Sequence, residues 1–196
     1  MMKITGELKL PFMLFTTQHL CLAGPPNAGK SSLLNRLTGF DRAFVHAEAG
    51  ATRDAVGERV EVAGYSVLLE DLPGFVSEKN TLMDEALALA ELRLKLADVV
   101  AFVCDASTGW DKATEQAARW VHDILIKKNS AAGEENRVML ILNKSDLGNA
   151  ISGKPWRQYL GDPIIVETSS LPGGAAAEDF ASGFFLLMEE REKQFD

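Results

Sequence analysis

Short runs rich in Val, Leu and Ile alternate along the chain with longer stretches in which apolar residues recur every three or four positions. Runs of the first kind are what strands buried on both faces look like, and stretches of the second kind read as helices with one apolar stripe. The alternation predicts an α/β fold, a doubly wound and mostly parallel sheet with helices on both faces. Strands are expected at His19 to Ala23, Glu58 to Val62, Ser66 to Glu70, Asp98 to Cys104, Val138 to Asn143 and Ile164 to Glu167. The second and third are separated only by "AGY", so they are expected to form one antiparallel hairpin.

Helices are expected between these strands. Lys30 to Thr38 gathers Leu33, Leu34 and Leu37 on one face, with Gly39 marking its end. Trp110 to Lys127 repeats the pattern at Ala113, Ala117, Trp120, Val121, Ile124 and Leu125, and Ala175 to Lys193 does so through Ala177, Phe180, Phe184, Leu187 and Met188. Leu82 to Leu96 differs. Its apolar residues form two stripes, Leu82, Ala86 and Leu89 beside Met83, Leu87, Ala90 and Leu94, more than one core face needs, so a partner surface is expected there. "KKNSAAGEEN", Lys127 to Asn136, reads as a solvated loop. Residues 1–17 fit none of these elements and read as an N-terminal extension or the stub of a preceding domain, leaving 18–196 as a single domain.

A chain of 196 residues can bury one full core. The net charge of −8 argues against a broad nucleic-acid surface, which needs clustered Lys and Arg. Cys21 and Cys104 each sit inside an apolar run, which favours buried free thiols in a reducing, cytoplasmic setting. The N-terminal "LPFMLF" is too short to span a bilayer, so no membrane association is expected.

"GPPNAGKS", Gly24 to Ser31, follows a strand and opens a helix. The spacing Gly-x-x-x-x-Gly-Lys-Ser there is that of a phosphate cradle. Backbone N–H groups at Asn27, Ala28 and Gly29 would face the phosphates, with Pro25 and Pro26, which carry no N–H, shaping the same loop. The helix start, with Ser32, adds partial positive charge, Lys30 reaches the terminal phosphates and the Ser31 hydroxyl suits Mg²⁺. This spacing alone does not separate ATP from GTP, and a plain glycine-rich turn would also produce it. "NKSD", Asn143 to Asp146, closes another strand. A carboxylate at Asp146 can accept two N–H groups from guanine, and adenine offers no matching pair. Asn143 would tie loops together, and Lys144 would lay its stem along the base. Asp71 in "EDLPG" ends a third strand, where it can hold a Mg²⁺-bound water, and the Gly74 N–H can meet a γ-phosphate. Thr52 in "GATRD" offers a second hydroxyl for Mg²⁺. Taken singly, "DLPG" also reads as a turn and Thr52 as a loop residue.

In this order, "GPPNAGKS", "ATRD", "DLPG", "NKSD" and "TSSL" resemble the translation-associated GTPases, most closely the GTP-binding domain of the tRNA-modification group (TrmE, also called MnmE), with Era and Der as relatives. The resemblance runs from about Leu20 to Gly174. It implies a Ras-like P-loop fold that binds GTP with Mg²⁺ and hydrolyses it, with Ser169, Ser170 and Leu171 where the family offers a backbone N–H to the guanine oxygen. It also implies K⁺ held by Asn27, and a homodimer formed across the segments around "DLPG". Phe75 stands where Ras-like switches carry a water-orienting glutamine. By the same resemblance an acidic residue orients the water, with Asp84 and Glu85 as candidates, although both also suit a plain helix start. "DLPG" for "DTAG", "ATRD" for "TTRD" and "SSL" for "SAK" depart from the group. The expected activity is K⁺-assisted GTP hydrolysis. The alternative is a GTP-dependent binding switch with negligible turnover, acting on a translation or tRNA-modification partner.

Overall fold

The structure is a computed structural model and describes residues 16–41, 57–75, 81–132, 138–169 and 176–193. The strands are β1 (Gln18–Ala23), β2 (Glu58–Val62), β3 (Tyr65–Asp71), β4 (Val99–Asp105), β5 (Val138–Asn143) and β6 (Ile164–Glu167). The helices are α1 (Lys30–Asp41), α2 (Thr81–Leu96), α3 (Lys112–Ala132), α4 (Arg157–Leu160) and α5 (Ala176–Glu192). Strand order is β2-β3-β1-β4-β5-β6. Only β2 and β3 pair antiparallel, through the expected hairpin; every other neighbouring pair is parallel. The chain leaves β1 toward β3 on one side and returns to β4 on the other, which opens a crevice beyond the carboxyl end of β1.

The period-2 alternation of the strands divides the core into two layers. Leu20, Leu22, Val99, Ala101, Met139 and Ile141 face α1 and α5, where Leu33, Phe180 and Phe184 meet them. Cys21, Val100, Phe102 and Leu140 face α2 and α3, where Leu94, Ala117, Val121 and Ile124 pack. Both layers are almost free of solvent. They fix the strand ends, and with them the loops at the sheet's carboxyl edge.

Several expectations needed correction. Gly39 does not end α1, which continues to Asp41; among the described residues, beyond its own helix backbone and chain neighbours, nothing lies within 4 Å of where a Cβ would stand, so a side chain would fit there. Residues 127–132 belong to α3 rather than to the expected solvated loop, whose remaining residues lie outside those described. Ala113 is exposed, and Thr114 takes the buried place instead, held by its amide to the Asp111 carboxylate at 2.8 Å. On α2 the stripe of Ala90 and Leu94 is the core face, while Leu89, Leu92 and Leu96 stay 48, 52 and 60 % exposed. Of the described residues in the expected stripes only Leu89 is large and exposed, with Ala86 and Leu87 half-buried; Leu92 and Leu96 lie outside both stripes and add to the exposed apolar face. Helix α4, only four residues long, is too short for periodicity to announce. Among the described residues no helix is long and apolar enough to cross a membrane.

Candidate functional site

Parallel strands deliver their carboxyl ends to one edge of the sheet. The loop 24–29 follows β1, Asp71 ends β3, Asp105 ends β4, and Asn143 ends β5. Motifs more than a hundred residues apart therefore meet: Asn27, Gly29, Lys30, Ser31 and Ser32 share a pocket of about 430 Å³ with Lys144.

The phosphate loop is pressed against backbone. Gly24 has φ 142°, and a Cβ there would lie 2.1 Å from the Val103 carbonyl oxygen, so no side chain fits. Lys30 is buried, and its Nζ donates to the carbonyls of Pro25 at 2.9 Å and Gly24 at 3.4 Å. Burial pushes its ammonium pKa down, against the opposing pull of the Asp71 charge. Its positive charge is thus curled over the loop, held by two neutral carbonyl acceptors. Ala28 is buried beneath it, and Pro25 and Pro26 close the turn.

The "DLPG" segment lies directly on this loop. The Phe75 amide donates to the Gly24 carbonyl at 3.3 Å, and a Cβ on Gly74 would come within 2.7 Å of the Pro26 nitrogen. Ser31 Oγ donates to Asp71 Oδ2. The second carboxylate oxygen of Asp71 is buried with no hydrogen-bond partner among the described residues. An orphaned buried carboxylate oxygen is costly. Beside a serine hydroxyl it completes a set of hard oxygen donors, so these residues fit Mg²⁺.

At the other end, side chains do the joining. Asn143 is buried; its Nδ2 donates to the Ala28 carbonyl at 2.9 Å, and its Oδ1 accepts from Thr168 Oγ1 at 3.1 Å. The Thr168 carbonyl in turn accepts from the Ser145 amide and hydroxyl, each at 3.1 Å. One asparagine thus braces the phosphate loop, β5 and the turn after β6. Lys144, at φ 59°, donates Nζ to the Asn27 carbonyl at 2.9 Å and pairs with Asp105 at 2.6 Å. Burial acts to raise the Asp105 carboxyl, but its hydrogen bonds from Lys144 and Ser107 outweigh this and hold it below the usual carboxylate range. Asp146 stands exposed in the 3₁₀ turn Ser145–Leu147.

The remaining expectations divide. Ser169 follows Thr168 at the rim, whereas Thr52, Ser170 and Leu171 lie outside the described residues. Asp84 and Glu85 are exposed in the first turns of α2. Asn27 has φ 61°, a left-handed conformation that Asn tolerates better than most residues, so backbone geometry also accounts for its presence. Phe75 stacks on Trp120 of α3, ring centroids 5.3 Å apart, turned to the second core layer. Sequence reasoning missed Asp105, Thr168 and this stack. The available signal for Asp105 was an acid at a strand end neighbouring the "NKSD" strand.

A family model described as "50S ribosome-binding GTPase" matches residues 19–154. The chain belongs to this GTPase family. Its activity class is that of a GTP hydrolase. The GTPase is 36% identical over 131 residues to the human mitochondrial 5-taurinomethyluridine-[tRNA] synthase subunit GTPB3, covering 66% of this chain and 26% of that protein. It is 39% identical over 165 residues to the tRNA modification GTPase MnmE of Akkermansia muciniphila, covering 78% of this chain and 33% of that protein. MnmE of Campylobacter jejuni is 33% identical over 141 residues, with 72% and 30% covered. The chain thus spans about a quarter to a third of the length of these relatives. The FeoB G-domain of Methanococcus jannaschii superposes with a TM-score of 0.58 at 23% identity, over 89% of this chain and 99% of that one. At that identity the likeness speaks for the Ras-like fold alone.

Proposed function

We propose that residues 18–196 form one G domain that binds GTP in the pocket between the phosphate loop and Lys144 and hydrolyses it to GDP and phosphate. The observation that carries this reading is the Asn143 brace, which joins the phosphate loop to the turn bearing Asp146 by way of Ala28, Thr168 and Ser145. Such a brace sets the distance between a phosphate cradle and a base reader, which a nucleotide needs and a plain turn does not.

In this reading the triphosphate lies over loop 24–29, with Gly24, Pro25, Pro26, Asn27, Ala28 and Gly29 shaping the cradle. Lys30, Ser31 and Ser32 stand at its helical end. Asp146 takes the guanine edge, the Lys144 stem covers the base, and the backbone near Ser169, Ser170 and Leu171 receives its oxygen. Ser31, Thr52 and Asp71 would hold Mg²⁺, which when bound neutralises charge on the phosphates. Asn27 would contribute its side-chain oxygen to K⁺, whose charge would stand in for an arginine finger. A water oxygen bonds to the γ-phosphorus as the bond to the bridging oxygen breaks; Lys30 stabilises the charge that develops, and the Gly74 amide steadies a γ-oxygen. Phe75 has no polar atom in its side chain and is engaged with Trp120, so the water is oriented by another group, with Asp84 and Glu85 as the candidates. The exposed leucines of α2 favour a homodimer formed across the switch segments, and the relatives' names favour a tRNA-modification context.

Phosphate release under multiple turnover, in KCl against NaCl, tests this. Faster release in KCl supports the K⁺-assisted enzyme, and loss of that difference in Asn27→Ala ties it to the loop. Bound GTP with no turnover in either salt would replace it by the binding switch, a reading that Phe75 also allows.

A further inference from the structure

β1 and β3 run side by side with Cys21 opposite Glu70. Residues two apart on a strand share a face, so His19, Cys21 and Glu70 all enter the layer beneath α2. None of them faces the nucleotide pocket. Cys21 and Glu70 are fully enclosed, and the His19 side chain keeps 15 % exposure at the edge of the layer. Their donor atoms form a small triangle. His19 Nε2 lies 2.7 Å from Glu70 Oε2, and Cys21 Sγ lies 3.7 Å from that nitrogen and 3.8 Å from that oxygen.

We infer that His19 Nε2, Cys21 Sγ and Glu70 Oε2 form a site for a zinc-class divalent ion, distinct from the Mg²⁺ of the nucleotide pocket. Tetrahedral zinc, with bonds of roughly 2.0 Å to nitrogen and oxygen and 2.3 Å to sulfur, places its ligand atoms about 3.3–3.5 Å apart. The two sulfur edges need to close by only a few tenths of an ångström. The nitrogen-to-oxygen edge opens by roughly 0.6 Å as the ion replaces the His19–Glu70 hydrogen bond. Cys21 Sγ also donates to the Arg93 carbonyl at 3.7 Å, a weak thiol hydrogen bond that ligation to an ion would replace.

The donor types select the metal. A thiolate with an imidazole and a carboxylate suits zinc and its neighbours, whereas Mg²⁺ prefers oxygen alone. On binding, Cys21 releases its thiol proton to solvent, His19 presents the Nε2 lone pair with its proton on Nδ1, and Glu70 ligates through one oxygen. The other Glu70 oxygen stays beside Arg93 Nη1 of α2, 3.4 Å away, the kind of outer partner that orients a ligating carboxylate. A Glu70–Arg93 ion pair alone would require neither the thiol nor the imidazole. Their convergence on the oxygen that Arg93 leaves free is the observation that points to an ion.

The test is Co²⁺ titration of the full chain after chelator treatment, in excess Mg²⁺. A thiolate-to-cobalt absorption band saturating at one equivalent, bleached by Zn²⁺ and unaffected by Mg²⁺, is expected. Cys21→Ser should abolish the band and Cys104→Ser should keep it. No band in the unmodified chain, or a band that survives Cys21→Ser, overturns the site. Should Cys21→Ser fail to fold, His19→Gln, checked by unchanged GTP binding, should weaken Co²⁺ affinity at least about tenfold. Unchanged affinity in that variant is equally fatal.

Discussion

At the phosphate end of the pocket, backbone rests on backbone: Gly24 against the Val103 carbonyl, Gly74 against Pro26, and the Phe75 amide on the Gly24 carbonyl. At the base end, polar side chains span the gaps: Asn143 to Ala28 and Thr168, Ser145 to Thr168, Lys144 to Asn27 and Asp105. The division suits the nucleotide proposed for this pocket. Phosphates are alike on every side and need a close-fitting row of amides, which only bare backbone can supply. A base must be told from other bases, which requires side chains of particular donor and acceptor pattern. Substitutions at the two ends should therefore fail differently, the first through packing and strain, the second through unmet hydrogen bonds or altered selectivity.

The sharpest break is Gly24→Ala. Its methyl would stand 2.1 Å from a main-chain oxygen, at a φ that L-residues rarely adopt. Overpacking and backbone strain together should cost roughly 4 kcal/mol in urea unfolding. A loss below about 1 kcal/mol would show that the loop can move, and the backbone half of the comparison would fail. Asn143→Ala comes next. It strands the Ala28 carbonyl and the Thr168 hydroxyl inside the core and should cost roughly 2–3 kcal/mol. If the base end is held as described, Thr168→Val should lose less than Asn143→Ala, because Asn143 would still hold Ala28.

Asp146→Asn should leave stability within about 0.5 kcal/mol, since the residue is exposed. GTP binding should weaken roughly 10- to 100-fold, the range for a lost hydrogen bond to a charged group, with xanthine nucleotides gaining in competition. Retained GTP preference would remove Asp146 from the base site. Acid titration separates the ends further. The folded chain holds Asp105 below its ordinary range, so its contribution is full above the unfolded carboxylate pKa and is lost as pH falls through the lower folded value. Asp105→Asn should flatten that acid limb in thermal melts taken across pH, and an unchanged limb would assign the stability to other groups.

The sequence made the phosphate end easier to read than the base end, for a physical reason. The cradle is local: one loop, a fixed spacing, and a lysine and serine on the first turn of the helix it opens. β2, β5 and β6 were legible to the residue because their apolar runs end at turn residues or charges. The partners of Asn143 and Lys144 come from 115, 25, 117 and 39 residues away, brought in by strand order rather than by spacing. Asp105 and Thr168 therefore gave little warning, and neither did the stack of Phe75 on Trp120. The extra stripe on α2 was visible because amphipathicity is itself a local property, even though the fold had to decide which stripe is core.

The smallest effect tests the same contrast from a glycine that nothing requires. Gly39 lies within α1 in the stretch that also holds Gly24, and by the usual cues it should end the helix; instead α1 passes through it, and outside its own helix no described residue comes within 4 Å of where an added methyl would stand. Alanine there removes backbone freedom from the unfolded chain and suits a helix interior, so Gly39→Ala should stabilise by roughly 0.5–1 kcal/mol. A rise in the urea midpoint with an unchanged slope is the expected readout. Opposite signs for one added methyl at positions 24 and 39 would show that close approach, not glycine content, rigidifies the phosphate end. Destabilisation at Gly39 would mean that α1 ends where the sequence alone suggested.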